Sequence, residues 1–198
     1  MTLKLGLTGS NGCGKSTLLK ALAALGVPVF SADDAVHQLY QGEAVGPVGE
    51  AFPGVVRDGR IDRQALGAQL VASPSRLATL EAIVHPMVRS RIAAFLAEAE
   101  RTGAPLAVVD IPLLFEGGHD YGLDRIIVTV TDEATLRARA LRRPGMTVEK
   151  LETILARQMP QDEKRRRADY VFDTSGPIEA TQAAAGELVA RLRQQETP

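Results

Sequence analysis

The chain has 198 residues, enough for one α/β domain with a sizeable core. Its formal net charge of −1 and hydrophobic content of 45% argue against a nucleic-acid-binding protein or a disordered chain. No apolar run approaches the roughly 20 residues of a membrane span. The amino terminus lacks a signal-peptide pattern, and a single cysteine cannot form an internal disulfide. We therefore expect a cytoplasmic protein with no membrane or nucleic-acid partner.

The first motif is a phosphate-binding loop of the form G-x-x-x-x-G-K-[ST] at residues 9–16. The apolar segment 3–7 precedes it and leucines at helical spacing follow it, so the order strand, loop, helix is predicted. Glycine backbones and helix amino-terminal N–H groups suit phosphate. Lys15 is expected to reach the β- and γ-phosphates of ATP, and the Ser16 hydroxyl to hold Mg²⁺. The predicted nucleotide contacts are Gly9, Ser10, Asn11, Gly12, Cys13, Gly14, Lys15, Ser16 and Thr17.

Two carboxylates, Asp33 and Asp34, follow a short predicted strand at 27–30. Ligands of open α/β sheets lie beyond the carboxyl ends of the strands, so this pair is expected to face the phosphate site. One of the two could instead cap a helix that starts near Ala35. The two roles are compatible because there are two carboxylates.

Residues 35–103 have a mostly helical pattern in which no strand is obvious. Turn signals stand at 52–54 and at 57–60. Pro86 is expected to kink or break the helix that contains it, because it removes a backbone hydrogen bond. We interpret 35–103 as an inserted helical lobe of the kind in which small kinases hold a phosphate acceptor.

A third strand at 106–109 ends in Asp110. A buried strand that closes on a carboxylate resembles a Walker B element, in which the acid helps to hold Mg²⁺. A fourth strand is predicted at 125–130 and a fifth at 170–172, followed by a terminal helix. The helix between these two strands begins after Asp132, a typical cap residue.

Basic residues are concentrated between 137 and 167. Most of them are expected to form a solvated helix face. Arg139 and Arg143 are four residues apart and therefore share one helix face. We expect them to reach the triphosphate from a lid at about 139–168.

Several further segments resemble, in order and spacing, the motifs of the dephospho-coenzyme A kinase family, which phosphorylates the ribose 3′-hydroxyl of dephospho-coenzyme A with ATP. They are 6–16, Ala32-Asp33 (the end of a "DAD" element), 58–63 ("DGxIDR"), 80–86 ("LExIxHP"), 110–116 ("xIPLLFE"), Gln158, Lys164, 168–169 and Gly176.

The resemblance implies a three-layer α/β fold like that of nucleoside monophosphate kinases, with a five-stranded parallel sheet. Residues 1–34 and 104–198 would form the core with its lid, and 35–103 the acceptor lobe. Asp33 would be the base near the acceptor hydroxyl, Arg139 the lid arginine on the phosphates, and His85 a contact near the coenzyme A portion.

Three positions depart from the family pattern. Ser31 stands where the family usually has the first Asp of "DAD", so a magnesium-holding role of that acid does not carry over to this chain. Thr174 stands where an Asn is common, so the adenine-side contact of that residue does not carry over either. Cys13 replaces a Ser in the loop, where only the backbone is needed. Because a helix amino terminus lowers the pKa of a thiol, we expect Cys13 to react with thiol reagents and ATP to slow the reaction.

Two other functions are compatible with the sequence. The chain could phosphorylate another small molecule, including a nucleoside monophosphate. It could also be a non-catalytic nucleotide-binding switch, although it lacks the Asn-Lys-x-Asp and Thr-Lys-x-Asp motifs for guanine and an arginine-rich lid has no use in a switch.

Overall fold

The computed structural model describes residues 1–195. The chain forms two compact units, a sheet unit of Met1–Ser31 with Phe95–Pro198 and a helical unit of Ala32–Ala94. The boundaries predicted from the sequence lie at 34/35 and 103/104. Within the described residues, no helix has the length and apolar character to span a membrane.

The helices and strands below cover both units. In chain order the elements are β1 (Leu3–Gly9), α1 (Lys15–Ala24), β2 (Val29–Ser31), α2 (Ala32–Leu39), α3 (Val45–Ala51), β3 (Val56–Arg57), β4 (Arg60–Ile61), α4 (Arg63–Ala72), α5 (Leu77–Arg101), β5 (Leu106–Asp110), β6 (Arg125–Val130), α6 (Glu133–Leu141), α7 (Val148–Ala156), α8 (Gln161–Arg167), β7 (Tyr170–Asp173) and α9 (Ile178–Gln195).

The sheet unit contains a five-stranded sheet in the order β2-β5-β1-β6-β7, and all neighbouring strands are parallel. The predicted five-stranded parallel sheet is therefore confirmed. β1 is central and pairs with both β5 and β6. The loop after β1 consequently opens at the sheet edge where β5 and β6 also end, which is where open α/β sheets bind ligands.

Side chains of successive strand residues point to opposite faces of the sheet. On one face, Leu5 and Leu7 join a buried core with α1 and α9, which includes Leu18, Leu22, Leu188 and Leu192. On the other face, the Phe30 ring of β2 packs against Phe95 of α5 with centroids 5.3 Å apart. Helices thus cover both faces.

The helical unit contains a short hairpin, β3–β4, that the sequence analysis identified only as a turn. Asp58 and Gly59 connect the two strands with φ values of 49° and 72°. Two residues with positive φ form the tight turn that suits a hairpin. Asp62 then caps α4 by accepting hydrogen bonds from the Gln64 and Ala65 amides.

Two expectations about helices are corrected. α5 continues through Pro86, so the expected break is wrong, whereas the kink expected as its alternative stays a prediction. α2 begins at Ala32, directly after β2, and not near Ala35. Asp33 and Asp34 therefore lie inside the first turn of α2 and do not precede it. Carboxylates at this position interact favourably with the positive end of the helix dipole.

Candidate active site

The loop between β1 and α1 turns at two glycines with positive φ, 91° at Gly12 and 71° at Gly14. A Cβ at Gly12 would lie 2.7 Å from the Leu136 carbonyl oxygen, so α6 approaches the loop too closely for any other residue. Gly14 is the residue that immediately precedes α1. The loop geometry therefore depends on glycine at these two positions.

The amino terminus of α1 has no side-chain cap among the residues that the structure describes, and its first turn contains no acidic residue. Most helices occupy these N–H groups with a capping oxygen. Without a capping side chain, the positive end of the helix dipole can attract an anion, although the Thr17 N–H already donates to the Gly14 carbonyl over 3.0 Å.

A cavity of about 230 Å³ lies over this helix terminus. Three of its lining residues are cations, Lys15, Arg139 and Arg143, and no carboxylate lines it within the described chain. The cavity thus has the charge of a polyanion site. Its other lining residues are Ser10, Gly12, Cys13, Gly14, Ser16, Thr17, Thr174, Gly176, Ile178 and Thr181.

Most of the predicted loop residues line this cavity, but two do not. The Gly9 carbonyl oxygen accepts a hydrogen bond of 3.0 Å from the Lys15 ammonium. The Asn11 N–H donates to Gln158 Oε1 over 3.1 Å. Gly9 and Asn11 therefore shape the loop without lining the cavity.

Cys13 differs from the expectation of a reactive thiol. Its side chain is fully buried, and its Sγ lies 3.2 Å from Gln161 Oε1, to which it donates. Burial raises the pKa of this thiol, although Lys15 and Lys164 act in the opposite direction. A buried thiol with a raised pKa is a poor nucleophile, so the structure argues against the expected reactivity.

Side chains between residues 158 and 164 make hydrogen bonds and an ion pair with the segments around the phosphate loop. These contacts were not predicted from the sequence. Gln161 bonds both the N–H and the carbonyl of Thr131, over 2.9 and 3.0 Å, besides receiving the Cys13 thiol. Lys164, fully buried, forms an ion pair with Glu116. Gln158, Lys164 and Glu116 all belong to segments that resemble the family motifs, but a motif does not show which side chains are in contact.

The predicted magnesium ligands are Ser16 and Asp110. Ser16 lines the cavity, and Asp110 is buried at the carboxyl end of β5. Within residues 1–195 there is no cluster of three or more His, Cys, Asp or Glu side chains that could hold a metal alone. Mg²⁺ on a nucleotide takes one or two protein oxygen ligands and completes its shell with phosphate and water. A hydroxyl and a carboxylate fit that requirement.

In the helical unit, Asp33 and Asp34 line a second cavity of about 450 Å³. Arg63, His37 and Tyr40 also line it, and sequence reasoning gave none of them a role. Burial raises the pKa of Tyr40, an effect that the nearby Arg63 partly offsets. The "DGxIDR" motif contained Arg63 and was the one signal that could have pointed to this cavity.

His85 is exposed on α5. It is not among the described residues that line the cavity at Asp33. Its predicted contact with the acceptor thus stays a prediction.

A sequence model of the family described as dephospho-CoA kinase matches residues 3–180. The chain belongs to the dephospho-CoA kinase family. A dephospho-CoA kinase of Rhizobium meliloti is 52% identical over 188 residues, which cover 95% of this chain and 97% of that relative. The family resemblance inferred from the motifs is therefore confirmed.

Solved structures agree with the fold. A crystal structure from Thermus thermophilus superposes with a TM-score of 0.80 at 34% identity, covering 96% of this chain and 98% of that one. A dephospho-CoA kinase from Campylobacter jejuni covers both chains fully with a TM-score of 0.75 at 24% identity, which supports the fold alone.

Proposed function

We propose that the protein transfers the γ-phosphoryl group of ATP to the ribose 3′-hydroxyl of dephospho-coenzyme A, giving coenzyme A and ADP. The observation that carries the proposal is the cationic cavity over the uncapped terminus of α1, in a chain whose family is dephospho-CoA kinase. The cavity supports ATP as the phosphoryl donor, and membership of the family supports dephospho-coenzyme A as the acceptor.

The loop and its cations would bind the triphosphate. Lys15, Arg139 and Arg143 are the positive groups of the cavity, and the loop amides add their dipoles. Charge accumulates on the oxygens of the transferring group in the transition state, so fixed positive groups lower the barrier. We assign Lys15 and Arg139 to that charge.

When bound, Mg²⁺ would supply positive charge that offsets part of the negative charge of the triphosphate. Ser16 and Asp110 are the residues that we propose for holding it. Ser31 carries no carboxylate that could add to them. The proposal therefore places the metal-binding acid at the end of β5 and not at the end of β2.

Asp33 is the proposed general base. The acceptor oxygen forms a bond to the γ-phosphorus while the bond from that phosphorus to the β–γ bridging oxygen breaks, and ADP leaves. The acceptor proton passes to the Asp33 carboxylate. Arg63, which lines the same cavity, would offset the negative charge of the acceptor.

The test is an acceptor panel with ATP as donor: dephospho-coenzyme A, AMP, adenosine, shikimate and gluconate. We expect dephospho-coenzyme A to saturate at micromolar concentrations and the others to react at least about a hundredfold more slowly by kcat/KM, a ratio typical of sites that pair polar substrate groups. A faster reaction with another acceptor would revive the general small-molecule kinase. Tight ATP binding without transfer to any acceptor would favour a non-catalytic switch.

We also propose a cytoplasmic location. It rests on the single cysteine, which cannot form an internal disulfide and is compatible with a reducing compartment.

A further inference from the structure

Thr174, the first residue after β7, is almost fully buried. Its amide donates to the Val130 carbonyl over 2.9 Å, and its hydroxyl lies 3.2 Å from the same oxygen. The hydroxyl also lies 3.3 Å from the carbonyl oxygen of Cys13 in the phosphate loop. A hydroxyl has one hydrogen to donate and lone pairs that accept, so these two carbonyls share its proton.

The lone pairs of the same hydroxyl face Arg139. The Arg139 Nη1 donates to Thr174 Oγ1 over 3.3 Å. Arg139 lines the nucleotide cavity from α6 and is partly buried, whereas Arg143, one turn further, is exposed. Thr174 is thus a link between the backbone of the phosphate loop and the guanidinium that faces it.

Packing fixes the position of this hydroxyl. An added Cβ on Gly14 would lie 3.0 Å from Thr174 Oγ1 and 3.1 Å from its Cβ. The threonine therefore rests directly against the last glycine of the loop. With the amide bonded to Val130 as well, the hydroxyl has little freedom to move.

We propose that Thr174 is a positioning residue that holds the Arg139 guanidinium at the phosphate loop. The inference rests on the role proposed above for Arg139 on the phosphates. An arginine side chain has many rotamers, and part of this freedom is lost whenever the guanidinium is fixed. A bond to an immobile hydroxyl restricts the guanidinium before ATP arrives, so less ordering remains for the transition state.

In this chain the hydroxyl of Thr174 accepts from the lid arginine while its proton is shared with backbone carbonyls.

The test is a double-mutant cycle between Thr174→Val and Arg139→Ala. Valine keeps the shape of threonine and removes only the hydroxyl. We expect Thr174→Val to lower kcat/KM for ATP about tenfold, as the loss of a hydrogen bond to a charged group does. Thr174→Ser, which keeps the hydroxyl, should stay within about twofold. In the Arg139→Ala background Thr174→Val should add less than about twofold, because residues that act as one unit are not additive.

Three outcomes would overturn the inference. If Thr174→Val has parental kinetics while Arg139→Ala is slow, the proposed role of Thr174 is wrong and that of Arg139 stands. An equal effect of Thr174→Val in both backgrounds would show that it acts on the nucleotide or the fold. Parental kinetics of Arg139→Ala would remove the proposed role of the arginine and the inference together.

Melting temperatures measured in parallel separate folding from positioning. If Thr174→Val does not fold, Thr174→Ala replaces it in the cycle, since the smaller side chain cannot clash with Gly14.

Discussion

Lys164 Nζ lies 2.9 Å from Glu116 Oε1, and the lysine side chain is fully buried. The contact meets the distance of an ion pair but not the angles of a hydrogen bond. The same carboxylate oxygen accepts a bond of 2.8 Å from the Met159 amide. Glu116 follows β5, whereas Met159 and Lys164 lie beyond α7. One carboxylate therefore fastens the chain after α7 to the loop after β5.

Breaking this pair is expected to destabilise the fold in an asymmetric way. Glu116→Gln should lower the free energy of unfolding by about 3–5 kcal/mol, because it leaves a buried ammonium without a counter-charge. Lys164→Met should cost less, since Glu116 keeps the Met159 amide. The double variant should be more stable than the sum of the single effects implies. Urea denaturation of the three variants measures this, and strict additivity would contradict it.

The same pair predicts a pH dependence. Burial acts to raise the pKa of Glu116, but Lys164 and the Met159 amide lower it on balance. A carboxyl with a depressed pKa in the folded protein stabilises it above the ordinary value of about 4.3, and this contribution is lost as the pH falls through the folded pKa. The stability difference between the parent and Glu116→Gln should shrink below about pH 4. A constant difference from pH 7 to pH 3 would disprove the coupling.

Lys15→Ala should lower turnover at least about a hundredfold, the usual effect of removing one group that stabilises transition-state charge. Its free energy of unfolding should fall by no more than about 1 kcal/mol, the usual worth of the hydrogen bond from Lys15 to the Gly9 carbonyl, because the side chain lies at the ligand cavity and not in the core. Lys20→Ala is the matched control, an exposed lysine of the same helix. Steady-state kinetics and urea denaturation decide. Equal turnover of the two variants would refute the loop assignment.

Local patterns predicted the phosphate loop well, because strand, glycines and helix lie within 22 consecutive residues, 3–24. Each of the five strands was predicted from its own short apolar run, which is also a local pattern. The bond from Thr174 to Cys13 spans 161 residues and could not be read from either neighbourhood. The buried thiol of Cys13 also contacts a distant residue, Gln161, which the helix-terminus argument for a reactive thiol did not include.

The α2 boundary shows a second limit of local reasoning. Two acids after a strand suggest a cap, yet the helix starts at Ala32 and takes Asp33 and Asp34 into its first turn. The cavity at Asp33 combines α2 with Arg63, a residue 30 positions further along the chain. Only the folded unit brings these side chains together.

Asp33→Asn keeps the shape of the side chain and removes its charge. If Asp33 is the base, turnover should fall by about 10²–10⁴-fold, with ATP affinity nearly unchanged. Loss of the dipole interaction alone would cost only about 0.3–1 kcal/mol of stability. Weaker ATP-Mg²⁺ binding that added magnesium restores would indicate a metal ligand instead.

Asp34→Asn is the control for Asp33→Asn, since Asp34 lines the same cavity and lies in the same helical turn. Near-parental turnover of Asp33→Asn beside a slow Asp34→Asn would transfer the role of base to Asp34.

Cys13 should react slowly with a thiol reagent in the native protein and completely, one label per chain, in urea. The Cys13→Ser variant should take no label and should keep its activity, because a hydroxyl can also donate to Gln161. Labelling rates followed by absorbance with and without urea test this. Fast labelling of the native protein that ATP suppresses would show that the thiol opens to the nucleotide cavity.

The most direct test of the proposed reaction is the structure of its product. The protein is incubated with ATP-Mg²⁺ and dephospho-coenzyme A, and the product is examined by phosphorus and proton NMR. We predict a new phosphate on the ribose 3′-oxygen, one ADP for each coenzyme A formed, and no such product with Lys15→Ala. A phosphate on another oxygen, or ADP released without a phosphorylated acceptor, would contradict the account.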